Sequence, residues 1–208
     1  MRTFEQLGQT DVLSNKSLEL VGEHVILKPL ALCQTEQLIE AVCDGELWNL
    51  WYTRIPRPEQ MAEEISRRLA LQQAGTMLPF YIEDRQTGQA LGMTTFMNIE
   101  PLHRRVEIGS TWYRQSAQRT HINTESKKLL LSYAFDTMNC IVVEFRTSSF
   151  NLKSQAAIER LGAKLDGVLR SHQIVQGDIL RDTFVYSILQ HEWPAVQHNL
   201  AWLLAKAR

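Results

Sequence analysis

Apolar and polar positions first alternate as in a strand at residues 24–30, HVILKPL, and then take helical spacing in EQLIEAV, which follows Thr35 and fades at Asp44-Gly45. This predicts a strand and then a helix capped by Thr35. The next segment, WNLWYTRIPRPEQM, is broken by Pro56 and Pro58 and gathers Trp48, Trp51 and Tyr52 into a loop. Pro58 suits the first turn of a second helix reaching about Gln73, with acidic residues early, Arg67 and Arg68 late, and Gly75 beyond its end. PFYIED, the turn RQTG and QALGMTTFMNI read as a hairpin, and RRVEIGSTWY at 104–113 as a further strand.

RQSAQRTHI interrupts the pattern. After it, NTESKKLLLSYAFDTM sets Leu130, Leu131, Ala134, Phe135 and Met138 on one helical face, with Asn123 or Thr124 as the cap. CIVVEFRTS is dense in β-branched residues and reads as a strand, after which Asn151 caps LKSQAAIERL and Gly162 stops it. Residues 164–175 and 179–189 flank the turn signal QGD as a second hairpin. Trp193, Val196, Leu200, Leu203 and Leu204 then predict a helix within 191–208. Alternating strand and helix units need crossovers, so the expected class is mixed α/β, a sheet with helices on both faces. A chain of 208 residues fits one domain with one core, residues 1–20 forming an N-terminal extension.

Composition narrows the function classes. The formal net charge is -1, from 22 basic and 23 acidic residues without long blocks, so no stripe recruits nucleic acid by phosphate neutralisation. Arg104-Arg105 and Lys127-Lys128 remain candidates for one small polyanion. Cys33, Cys43 and Cys140 are irregularly spaced beside apolar residues and read as buried free thiols. The six histidines lack metal-ligand spacing, and no metal is assigned. No apolar run resembles a signal peptide or approaches a membrane span, which points to a cytoplasmic protein without a membrane partner.

Two titratable residues stand out. Glu107, inside VEIG, is either a base that takes a proton from an ammonium through a water or a structural carboxylate paired with Arg104, Arg105 or Arg146. His172 titrates in a useful range and either faces the same pocket or lies at the surface. Trp48, Trp51 and Tyr52 either shape an aromatic amine pocket by cation-π attraction or pack under the loop.

Residues 22–193 resemble the GNAT superfamily, in the branch that includes N-terminal acetyltransferases of ribosomal proteins. NIEPLHRRVEIGSTW, QRTHINTESK, NLKSQAAIERLGA and RDTFVYSIL carry the resemblance, in matching order and spacing. It implies a central mixed, mostly antiparallel sheet and an acyl-CoA-dependent N-acetyltransferase using acetyl-CoA as co-substrate. The pyrophosphate would meet Gln118, Arg119, Thr120, His121, Ile122, Asn123 and Thr124, where free N–H groups and the dipole of a helix start favour an anion. His121 and Asn123 stand where the family carries glycines. Backbone N–H groups near Thr111, Trp112 and Tyr113 would receive the acyl oxygen, and Asn151 would touch the pantetheine arm as well as capping its helix.

Ile158 occupies the position of the family's tyrosine acid, which leaves Ser154 to protonate the departing sulfur; Tyr113 and Tyr133 are weaker substitutes. Glu107 would act as base, and Trp48, Trp51, Tyr52 and His172 would line the acceptor site. The acceptor is a peptide or small-molecule amine, and a homodimer is compatible with the reading. The alternative is a non-catalytic acyl-CoA-binding or sensor protein of the same fold, which His121, Asn123 and Ile158 would support.

Overall fold

The computed structural model describes residues 17–175 and 177–206. Eight strands form one sheet: β1 (Leu20–Val21), β2 (Val25–Pro29), β3 (Met77–Asp84), β4 (Ala90–Glu100), β5 (Arg105–Tyr113), β6 (Val142–Ser148), β7 (Lys164–Val175) and β8 (Ile179–Leu189). Their order is β1-β2-β3-β4-β5-β6-β8-β7, and every neighbouring pair is antiparallel except β5 with β6. A parallel pair needs a crossover. Here it is α3 (Ile122–Ser132), which continues through a π-helical turn at Tyr133–Thr137. The other helices are α1 (Thr35–Cys43), α2 (Met61–Gln73), α4 (Leu152–Arg160) and α5 (Trp193–Ala205). None of the helices described is long and apolar enough to cross a membrane.

The sheet divides the core into two apolar layers. Under α1 and α2, Leu38, Val42 and Ile65 pack on Tyr81, Met93 and Trp112. On the opposite face, Leu130, Leu131 and Phe135 with Trp193 and Leu200 pack on Phe80, Phe96 and Ile108. β3 is therefore buried on both sides, with Phe80 and Ile82 in one layer and Tyr81 in the other. Each fully buried Leu or Ile contributes about 1.5–3 kcal/mol relative to exposure. All five residues expected on the α3 face are buried, Met138 just beyond the π turn.

Several local expectations are corrected. Thr35 does not cap α1; it lies inside it after a 3-10 turn at Leu32–Gln34, and its hydroxyl donates to the Leu32 carbonyl at 2.6 Å. Nor do Asn123 or Thr124 cap α3, which begins one residue earlier. Asn151 does cap α4, its Oδ1 accepting the Ser154 amide at 3.1 Å. Only Cys140 is a buried thiol, whereas Cys33 and Cys43 are exposed, one in the 3-10 turn and one at the last residue of α1.

The two cationic pairs are not free anion sites. Arg104 donates to the carbonyl and side-chain oxygens of Asn139 at 2.7 and 2.8 Å, Arg105 pairs with Glu144, and Lys127 is interior. The expected extension at 1–20 lies outside the described residues up to residue 16, as does Gln176 of the QGD turn.

Candidate active site

β5 and β6 pair only over Arg105–Glu107 and Val142–Glu144, and past Glu107 no pairing joins them. Because the strands are parallel, they diverge toward a shared C-terminal end. α3 follows β5 and α4 follows β6, so both helix N-termini belong to that open end of the wedge. Two positive dipole ends there favour an anion. Arg114 donates its amide to the Leu91 carbonyl of the preceding strand segment at 2.8 Å. Since amides alternate edges along an extended strand, those of Tyr113 and Thr111 face the wedge and that of Trp112 faces β4.

This alternation depends on a bulge. Met93 pairs with Trp112 but Thr95 pairs with Gly109, so two β5 residues, Ser110 and Thr111, oppose Thr94. Ser110 takes φ +47. Opposite Tyr113, Gly92, at φ +145, lets β4 approach, since a Cβ there would lie 2.1 Å from the Trp112 carbonyl oxygen.

Glu107 sits where the pairing ends, 5% exposed. Its Oε2 accepts from Asn98 Nδ2 at 2.7 Å and lies 3.5 Å from Arg146 Nε. Arg146 is thus the partner among the three arginines considered. Burial holds the carboxyl above the usual carboxylate range, and Asn98, Arg146, Arg181 and His172 oppose that rise. Gly109 keeps the space beside it open, as a Cβ would lie 3.0 Å from Glu107 Oε1. A cavity of about 430 Å³ lined by Asn98, Arg105, Glu107, Glu144 and Arg146 reaches this carboxylate.

At the other end, Gln118 Nε2 donates to the Tyr113 carbonyl at 3.1 Å and Thr120 Oγ1 to that of Ala117 at 2.7 Å, which folds the loop into α3. His121 does not adopt the left-handed conformation open to His; it has φ -68, and the positive φ belongs to Arg119 at +62. The His121 ring rests 4.0 Å from that of His24, centroid to centroid. It lines a separate cavity of about 490 Å³ with Glu23, His24, Asp84, Arg85 and Gln86. The amide of Ile122 reaches Thr120 Oγ1 at 3.3 Å, while those of Asn123 and Thr124 belong to the first turn, which has no intrahelical acceptor. The Thr124 hydroxyl accepts from Arg160 of α4 at 2.8 Å, tying the two helices together.

Ser154 occupies the first turn of α4, half-buried. Ile158 is buried in the layer under α3, and Tyr113 and Tyr133 join that layer too, both raised above the ordinary phenol range by burial. Cys140 is pushed up to about 12 by burial, so its thiol is no nucleophile at neutral pH. His172 Nδ1 is 3.1 Å from Thr183 Oγ1 on β8. The aromatic loop splits: Trp48 packs on the layer under α1 and α2, while Trp51, 53% exposed, meets Tyr52 at 5.8 Å and Phe150 at 5.1 Å. Phe150, Asn98 and Arg181 escaped sequence reasoning. Asn98 has a positive φ that nothing in its neighbours signals, and Phe150 looks like any loop aromatic.

The family model described as "Acetyltransferase (GNAT) domain" matches residues 24–164. YdaF of Bacillus subtilis (strain 168), provisionally named a ribosomal N-acetyltransferase, is 31% identical over 106 residues, 51% of this chain and 57% of that relative. The match therefore spans little more than half of that curated relative's length. A solved GCN5-related N-acetyltransferase from Brucella melitensis superposes with a TM-score of 0.80 at 26% identity, covering 90% of this chain and 86% of that one. Mycobacterium smegmatis RimJ in complex with CoA-disulfide shares the fold, with a TM-score of 0.73 at 22% identity over 86% and 88% of the two chains.

Proposed function

Because the chain belongs to the acetyltransferase (GNAT) domain family, we propose that it moves an acetyl group from acetyl-CoA to a primary amine, directly, with both substrates held in one complex. The observation that supports this best is the parting of β5 and β6 immediately past Glu107, which leaves strand edges to grip an extended thioester arm. Amides of the α3 first turn would hold the pyrophosphate, and the Thr111 and Tyr113 amides would meet the oxygen charge that develops. The buried Cys140 thiol speaks for direct transfer over an acyl-enzyme.

In the step itself, the amine nitrogen bonds to the acyl carbon and the carbon–sulfur bond breaks. Glu107 would take one proton from the ammonium through a water, freeing the amine, and the second proton, lost from nitrogen after attack, would pass by way of Ser154 to the departing sulfur, so that the serine ends as it began. A carboxyl with a raised pKa is better matched to this than an exposed one, since its conjugate base is stronger. Trp51, Tyr52 and His172 would border the acceptor. An open cleft and the name of the Bacillus relative favour a peptide amine, such as a protein N-terminus, in the cytoplasm.

Thiol release from acetyl-CoA, measured over a panel of peptide N-termini and small amines, tests the proposal. Acetylated product with one stoichiometric thiol supports it. Tight acetyl-CoA binding without transfer to any amine would instead leave a sensor.

A further inference from the structure

The β5 bulge is held by two interior cations, one from each face of the sheet. From α2, Arg68 is 1% exposed; its Nε donates to Glu64 at 2.7 Å, Nη1 to Thr95 Oγ1 at 2.8 Å, and Nη1 and Nη2 both to the Ser110 carbonyl at 3.1 Å. From α3, Lys127 Nζ donates to Thr111 Oγ1 at 2.7 Å and to Thr94 Oγ1 at 3.2 Å, and those two hydroxyls share a hydrogen bond of 2.8 Å. Thr94 and Thr95 are the β4 residues at the register shift, and Ser110 and Thr111 are the bulge. Every polar hand of both cations at the sheet therefore falls on these four residues.

A non-glycine residue at φ +47 costs about 1–3 kcal/mol and persists only where its surroundings over-determine it. Burying a guanidinium and an ammonium is also costly. Plain sheet geometry needs neither, and among the described residues Lys127 has no carboxylate partner. What the grip fixes is the phase of β5. Without the extra residue, the amide of Thr111 would turn to β4 and the wedge would lose it.

We propose that Arg68 and Lys127 are positioning residues that grip the β5 bulge from opposite faces and hold the Thr111 amide aimed into the wedge, where the acyl oxygen of the substrate is received. This rests on the acetyl-transfer reading above. The cations touch no substrate; they act through the backbone between them.

The test uses ¹⁵N-labelled whole protein and follows the Thr111 amide on adding acetyl-CoA or CoA. In the wild type, acetyl-CoA should shift the Thr111 proton downfield beyond the shift with CoA, because only acetyl-CoA carries a carbonyl oxygen beyond the sulfur. Arg68→Met and Lys127→Met should lose this difference. With the amine found by the panel, they should lower kcat by about 10²-fold, as small misplacements do, while KM for acetyl-CoA changes far less. Arg68→Lys cannot span both Thr95 and Ser110 and should recover only part.

Should Arg68→Met fail to fold, Thr95→Val, which removes one hand but keeps the guanidinium, is expected to weaken the same difference. A wild type without any acetyl-specific shift at Thr111 overturns this proposal, while the acetyl-transfer reading stands or falls by the thiol-release panel. Folded variants that keep both the shift and kcat overturn the grip alone.

Discussion

Lys127→Met should raise stability at neutral pH, and the gain should vanish as the solution is made alkaline. Lys127 is 6% exposed, its hydrogen-bond partners among the described residues are two hydroxyls, and burial draws its amine down to about 7 from 10.5. A lysine with a lowered folded-state pKa binds fewer protons folded than unfolded between those values. Stability then rises with pH across that window, by up to about 1.4 kcal/mol per unit. Below the folded pKa the full disadvantage stands, on the order of 5 kcal/mol for a shift this large.

Methionine removes that penalty at nearly equal length, gives up two hydrogen bonds worth about 1 kcal/mol each, and leaves Thr94 and Thr111 bonded to each other. The variant should therefore be about 3 kcal/mol more stable at pH 6 and about 2 kcal/mol less stable near pH 10.5. Urea unfolding of both proteins from pH 6 to 10.5 checks this, because all other titrations cancel in the difference. A difference that stays flat would refute the reasoning, since Lys127 would then titrate as it does unfolded. Together with the expected loss of kcat, a stabilised Lys127→Met is a trade of function for stability.

Glu107→Gln should lower turnover by about 10²–10⁴-fold below the pKa of the acceptor amine and recover as pH rises and free amine appears. Because burial raises the Glu107 pKa, the wild-type rate should climb through a limb above the ordinary carboxylate range that the variant lacks; pH–rate profiles decide. Ser154→Ala should cost a pH-independent factor that grows with poorer leaving groups, and equal ratios across a series of acyl thioesters would count against a donor. His121→Gly should preserve or tighten CoA binding in calorimetry, since the His121 ring is engaged with His24; abolished binding would mark His121 as a ligand contact.

The layer of α3 shows how much could be read. Leu130, Leu131, Ala134, Phe135 and Met138 announce a buried face by type and spacing, and so the helix was legible. Glu125, Ser126 and Lys127 are equally buried and carry no such signal. Their burial depends on partners distant in sequence, as where Glu125 accepts the amides of Glu23, His24 and Val25 at 2.6–3.0 Å. Lys127-Lys128 consequently read as a candidate for binding one small polyanion. The same limit hid Arg68, which looks like an ordinary basic residue near a helix end. The bulge was out of reach too, because Ser110 is not a glycine and its φ is imposed by tertiary contacts. Turn and cap chemistry was more local, and Asn151 was found for that reason.

The strand order has a consequence for synthesis. β8 lies between β6 and β7, so β7 emerges from the ribosome before the strand it must lean on. β6 meanwhile has only three residues paired to β5. Residues 142–175 therefore wait, with open edges and little to hold them, until 179–189 are made. The β7–β8 ribbon closes locally within microseconds of that moment, but a two-stranded ribbon is marginal alone. It gains permanence only on docking to β6, which makes the arrival of β8 the event that commits this half of the nascent chain and leaves the preceding interval as its exposure to chaperones and proteases.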